Sequence, residues 1–122
     1  MRTVTLQVGL KAVSEELVTP DRCTKHTNPD APGLYSTPSM VGLMEGTCAK
    51  AVKPALQPEQ STVGTAVNIR HLAKTVEGQR VRCEAELVEI DRRRLLFSVV
   101  VFNDQEVKIG EGVHERFIIA PK

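Results

Sequence analysis

Thr37-Pro38-Ser39-Met40-Val41-Gly42-Leu43-Met44-Glu45-Gly46-Thr47-Cys48-Ala49 reads as the body of one long helix, and the rest of the chain is interpreted around it. Ser36 or Thr37 suits the N-cap, and Pro38 suits the first helical position, where a missing N–H costs little. Apolar residues at Met40, Val41, Leu43, Met44, Cys48, Ala51 and Val52 run nearly all round the helix, so other structure is expected to wrap it. Gly42 and Gly46 weaken it by about 1 kcal/mol each relative to Ala, and make sense where something packs close to the backbone. Pro54 and Pro58 close the segment. Glu45 shares a face with Val41, Cys48, Ala49 and Val52. An ionised carboxylate there loses hydration unless partners replace it, which marks Glu45 as a candidate for chemistry.

Strands surround this helix. Val4 to Thr19 alternates polar and apolar residues with a phase shift near Ala12-Val13, so residues 1–9 read as an extension of the first strand. Asp21 to Leu34, with Pro29, Pro32 and Gly33, is the longest irregular stretch, of the kind that forms lids and binding loops. Four strands follow: Thr62 to Lys74, Gln79 to Asp91, Leu95 to Phe102 and Val107 to Ile119. Val63, Thr65, Val67, Ile69 and His71 are expected on one face of the first of them. Turn signals at Asp91-Arg92-Arg93 and Asn103-Asp104 argue for an antiparallel sheet. The strand Leu95 to Phe102 is apolar on both faces, which predicts a second subunit covering or extending the sheet.

The 122 residues fit a single domain. Net charge is +1 and aromatics amount to three Phe, one Tyr and no Trp, so neither a basic field nor base stacking argues for nucleic acid. No apolar run approaches the ~20 residues that cross a bilayer. The N-terminus lacks the apolar core of a signal peptide, and three widely spaced cysteines fit reduced thiols; a cytoplasmic location is the expectation. Cys23 and His26 make too few ligands for zinc, so no metal is expected.

Strand, long helix and four strands is the order of the hot-dog fold, an α+β arrangement with an antiparallel sheet around one central helix. Three motifs resemble the fluoroacetyl-CoA thioesterase-like family: Ser36 to Glu45, the run Val63-Gly64-Thr65-Ala66-Val67-Asn68-Ile69-Arg70-His71-Leu72-Ala73, and Gly110-Glu111-Gly112-Val113-His114-Glu115-Arg116-Phe117. The resemblance covers about Leu10 to Ile119. It implies that Thr37, Glu45 and His71 are catalytic, and that the Gly64 N–H meets the thioester carbonyl region. It further implies a homodimer with acyl-CoA bound between subunits, with a tetramer as a further option, and no cofactor. The loop Cys23 to Tyr35 holds no Phe, a departure from the Phe-lined lid of the family's fluoroacetyl-specific member.

Thioester hydrolysis needs a nucleophile, a proton route and donors for the oxyanion. Glu45 suits general base or direct attack; the bland alternative is a carboxylate paired with an Arg at an interface rim. His71 suits proton transfer, or else a core histidine satisfied by a carbonyl. Thr37 serves equally well as a plain N-cap. Thr37 and Glu45 stand about 12 Å apart if both are helical, so either Thr37 lies outside the helix or the set is assembled across a dimer. The Ser39 and Met40 N–H groups are further oxyanion donors, given the helix dipole. Arg70 and Arg116 are candidates for coenzyme A phosphates, whereas Arg92, Arg93 and Arg94 read as a solvated turn. The leading expectation is hydrolysis of a short acyl-CoA, fluoroacetyl-type included. The alternative is a non-catalytic hot-dog dimer that senses acyl-CoA or a small carboxylate, with enoyl-thioester hydration third.

Overall fold

A computed structural model of the protein describes residues 4–120. Five strands form one antiparallel sheet: β1 (Lys11–Leu17), β2 (Ser61–His71), β3 (Arg80–Asp91), β4 (Arg94–Asn103) and β5 (Lys108–Ile119). Their order across the sheet is β1-β3-β4-β5-β2, leaving β1 and β2 as edges. One helix, α1 (Thr37–Val52), lies across the inner face. This is the expected hot-dog arrangement.

Local chemistry explains where α1 begins. Ser36 is extended, its hydroxyl accepts the Ser39 N–H at 3.2 Å, and Pro38 occupies the first turn. Met40, Leu43, Met44, Thr47, Cys48, Ala51 and Val52 form its buried stripe. They pack on Val81, Cys83, Ala85 and Leu87 of β3 and on Leu95, Phe97, Val99 and Val101 of β4, each of which alternates inward along its strand. Burying a side chain the size of Leu95 or Phe97 contributes roughly 1.5–3 kcal/mol, so this aliphatic seam holds the sheet on the helix.

Three expectations change. The helix is not wrapped all round: Gly42, Gly46 and Lys50 are exposed, and no atom stands within 4 Å of a Cβ built on either glycine. Their smallness serves no contact within the chain. The first strand is shorter than the alternation suggested, starting at Lys11 after a turn at Val8-Gly9, where Gly9 takes φ +103°. Of the proposed extension, residues 1–3 lie outside the described residues, and 4–10 form no strand.

The third change, in β2, positions the site. The register with β5 runs Gly64 opposite Arg116 and then Ala66 opposite Glu115, so one residue is extra. In a regular strand, positions seven apart point to opposite faces. The bulge inverts that relation, and both Gly64 and His71 meet α1. Val63, expected inward with His71, lies before the bulge and is exposed, whereas Val67 keeps the phase of His71 and is exposed on the edge strand.

Candidate active site

Two polar clusters lie along α1. At its N-terminus Thr37 Oγ1 and His71 Nδ1 stand 2.8 Å apart. Thr37 is the first helical residue and His71 the last of β2, so the cap and the strand end deliver the pair. The Tyr35 ring meets the His71 ring edge to face, 6.5 Å between centres. Tyr35 is itself fixed, its hydroxyl donating to Glu16 at 2.6 Å. Burial holds His71 below the ordinary imidazole value, favouring the neutral ring that accepts a proton from a hydroxyl. His71 Nε2 is buried and has no hydrogen-bond partner among the described residues. A cleft of about 380 Å³ opens beside the pair, lined by Thr24, Leu34, Tyr35, Leu72, Ala73 and Lys74.

The second cluster surrounds Glu45. Its carboxylate, 42% exposed, stands 3.8 Å from Arg116 Nη1 and 4.0 Å from His114 Nε2. Both distances exceed a hydrogen bond, so Glu45 feels a positive charge without losing its oxygen lone pairs to it. A Cβ on Gly64 would meet Glu45 Oε2 at 2.7 Å, His114 Cε1 at 3.0 Å and Arg116 Nη1 at 3.4 Å. Only glycine leaves room for these three groups to converge.

His114 and Arg116 are both nearly fully buried, 1% and 8% exposed. Arg116 Nε donates to Thr62 Oγ1 at 2.8 Å, Nη2 to the Thr62 carbonyl at 2.9 Å, and Nη1 to His114 Nε2 at 3.1 Å. His114 Nδ1 donates to the Ala66 carbonyl at 2.8 Å. Sequence reasoning quoted His114 within a motif and gave it no role. Its signal was there, because His114, Arg116 and Ile118 share one phase of the alternation and Ile118 belongs to the core.

The remaining candidates fall elsewhere. The Ser39 and Met40 N–H groups are spent on the Ser36 side chain and carbonyl, so they are not free to take an oxyanion. Arg116 is buried and turns its guanidinium toward the Glu45 cluster. Arg70 lines a groove on the opposite face with Lys108 and Phe102. Arg94 is paired with Glu89 and Glu115. Burial pushes the Cys48 thiol up to about 12 and the Cys83 thiol to about 11, so neither offers a thiolate nucleophile.

Thr37 and Glu45 are both helical, eight residues and about 12 Å of rise apart. The idea that Thr37 approaches from outside the helix is therefore set aside. No helix among the described residues is long and apolar enough to cross a membrane.

A profile of the fluoroacetyl-CoA-specific thioesterase family matches residues 18–122. The fluoroacetyl-CoA thioesterase of Streptantibioticus cattleyicolor is 35% identical over 120 residues, spanning 93% of this chain and 86% of that protein. Among solved structures, the fluoroacetyl-CoA thioesterase FlK superposes with a TM-score of 0.88 at 33% identity, over 96% of this chain and 90% of that one. A thioesterase superfamily member from Thermus thermophilus also gives 0.88, at 30% identity over 94% of this chain and 85% of that one. Fold and sequence agree, and the chain belongs to the fluoroacetyl-CoA-specific thioesterase family.

Proposed function

We propose that this protein hydrolyses a short-chain acyl-CoA thioester, in a homodimer whose active site joins the Thr37–His71 pair of one subunit to the Glu45 cluster of the other. The observation that carries this reading is the 2.8 Å contact between Thr37 Oγ1 and His71 Nδ1, a nucleophile within reach of its base. The dimer follows from β2, whose outer edge is unpaired and exposes Val63 and Val67. Antiparallel pairing of two β2 strands about an axis near Val67-Asn68 sets Gly64 of one copy beside His71 of the other. The two clusters, too far apart along one helix, then face each other.

In the first step the Thr37 oxygen attacks the thioester carbonyl carbon while its proton passes to His71 Nδ1. The C–S bond breaks, coenzyme A leaves with that proton, and an acyl ester remains on Thr37. In the second step water attacks the acyl carbon and Glu45 takes the water proton, which passes by way of His71 to the departing Thr37 oxygen, freeing the acid and restoring all three groups. Arg116 stabilises the carboxylate's charge, and Gly64 keeps the space open. The acyl end meets Thr24, Leu34 and Tyr35, a small enclosure that favours short chains. The loop there carries no Phe, so fluoroacetyl and acetyl groups are expected to be handled more evenly than by a Phe-lined lid. Three free, buried cysteines suit a reducing cytoplasm.

Thiol release from a panel of short acyl-CoAs tests the activity, and silence across the panel would end it. Mixing Thr37→Ala with Glu45→Ala subunits tests the shared site. A 1:1 mixture should regain about one quarter of wild-type activity, because half the dimers are mixed and each carries one intact site. No recovery would show that each site draws both clusters from a single subunit.

A further inference from the structure

His114 is buried, lies beside the reacting region, and has no part in either chemical step. Its two nitrogens are nonetheless committed. The Ala66 carbonyl can only accept, so the proton sits on Nδ1; Arg116 can only donate, so Nε2 must present its lone pair. The contacts therefore select one neutral tautomer out of three protonation states. The Arg116 guanidinium, in turn, is held through all three nitrogens, two on Thr62 and one on His114.

The consequence concerns Glu45. Nη1 is the guanidinium nitrogen nearest that carboxylate, at 3.8 Å, and it is the one that His114 holds. An arginine with free donors closes on a carboxylate in a two-pronged pair and occupies both oxygens. A carboxylate so occupied is a poor base toward water. We infer that His114 is a positioning residue: by accepting an N–H from Arg116 it keeps the guanidinium off Glu45, leaving a carboxylate that is charge-stabilised yet free to take a proton. The inference rests on the reading of Glu45 as the general base.

The same geometry carries a pH dependence. From α1 Glu45 faces the ring, from β5 Arg116 with Glu115 next in the chain, from β2 only the Ala66 carbonyl, and from β4 the register partner Phe97. Burial, then the Arg116 charge, hold the imidazole below its ordinary value, against the opposing pull of the Ala66 bond and the two carboxylates. Protonated His114 would set an N–H against an N–H and release Arg116.

Two substitutions separate the two nitrogens. His114→Asn keeps a donor for Ala66 and loses the reach to Arg116; His114→Gln supplies an oxygen where Nε2 stood. With the best short acyl-CoA substrate, His114→Asn should lower kcat by roughly ten- to hundredfold, the size of a misplaced catalytic group, with KM within about twofold. The acid limb of its pH–kcat profile should move to lower pH, because the freed guanidinium holds Glu45 ionised. His114→Gln should stay within about threefold of wild type, since its oxygen still engages Arg116. If both variants match wild type, or both lose kcat equally with no shift of the acid limb, the inference is wrong. If neither accumulates as folded protein, His114 serves the fold and the inference also falls. Full activity in Glu45→Ala would instead overturn the base assignment itself, a separate result.

Discussion

The two polar clusters on α1 are built differently. Thr37 and His71 meet through a single hydrogen bond at an exposed helix end, and His71 keeps a buried nitrogen without a partner among the described residues. Glu45 faces an arginine and a histidine whose donors and acceptors are almost all engaged, on β2 and β5, beneath the surface. The lesson is one of division of labour. The pair that must change partners during the reaction is loosely held, and the carboxylate that must keep its place is backed by a rigid network.

The largest expected effects test whether both clusters belong to one reaction. Glu45→Ala and Thr37→Ala should each lower kcat by roughly 10²–10⁴, the range for losing a proton-transfer group or its nucleophile. A wild-type rate in either, measured by thiol release, would remove that cluster from the chemistry. Gly64→Ala comes next: its methyl would stand 2.7 Å from Glu45 Oε2, and the displaced carboxylate should cost roughly 10–100-fold in kcat while Thr37 and His71 stay in place. Unchanged kcat would show that Glu45 has room to move.

Stability sharpens the contrast further. Thr62→Val removes the acceptor of the buried Arg116 Nε and should destabilise the protein by about 1–3 kcal/mol in denaturant unfolding. Thr37→Val, at an exposed position, should stay within about 0.5 kcal/mol. Equal costs would erase the distinction between the clusters. The smallest effect is in pH. Both His71 and His114 are held below the ordinary imidazole value of 6.5, so folding favours their neutral forms. Their contribution to stability is complete above pH 6.5 and is lost as pH falls from there through the folded values. A melting temperature flat between pH 7 and pH 5 would contradict it.

Much was legible in the sequence because it is written in local pattern. The apolar spacing of Met40 to Val52, the Ser36 cap with Pro38, and the inward alternation Val81-Cys83-Ala85-Leu87 each follow from periods of 3.6 and 2. The ordered motifs carried the family. Other expectations failed for equally physical reasons. Gly42 and Gly46 suggested a wrapped helix, but a missing side chain does not say whether a neighbour or solvent replaces it. The Ser39 and Met40 amides looked like anion donors until Ser36 proved to hold both.

The sequence by itself therefore determined the helix, the inward faces of β3 and β4 and the family, because propensity and periodicity act over a few residues. Tertiary structure alone decided which polar groups meet. The bulge in β2 turns Gly64 and His71 to the same side, and the register between β2 and β5 joins Thr62 and Ala66 to partners some fifty residues away. A shift of one residue between those strands would turn the Arg116 network to the other face, and no local pattern fixes a register between distant strands.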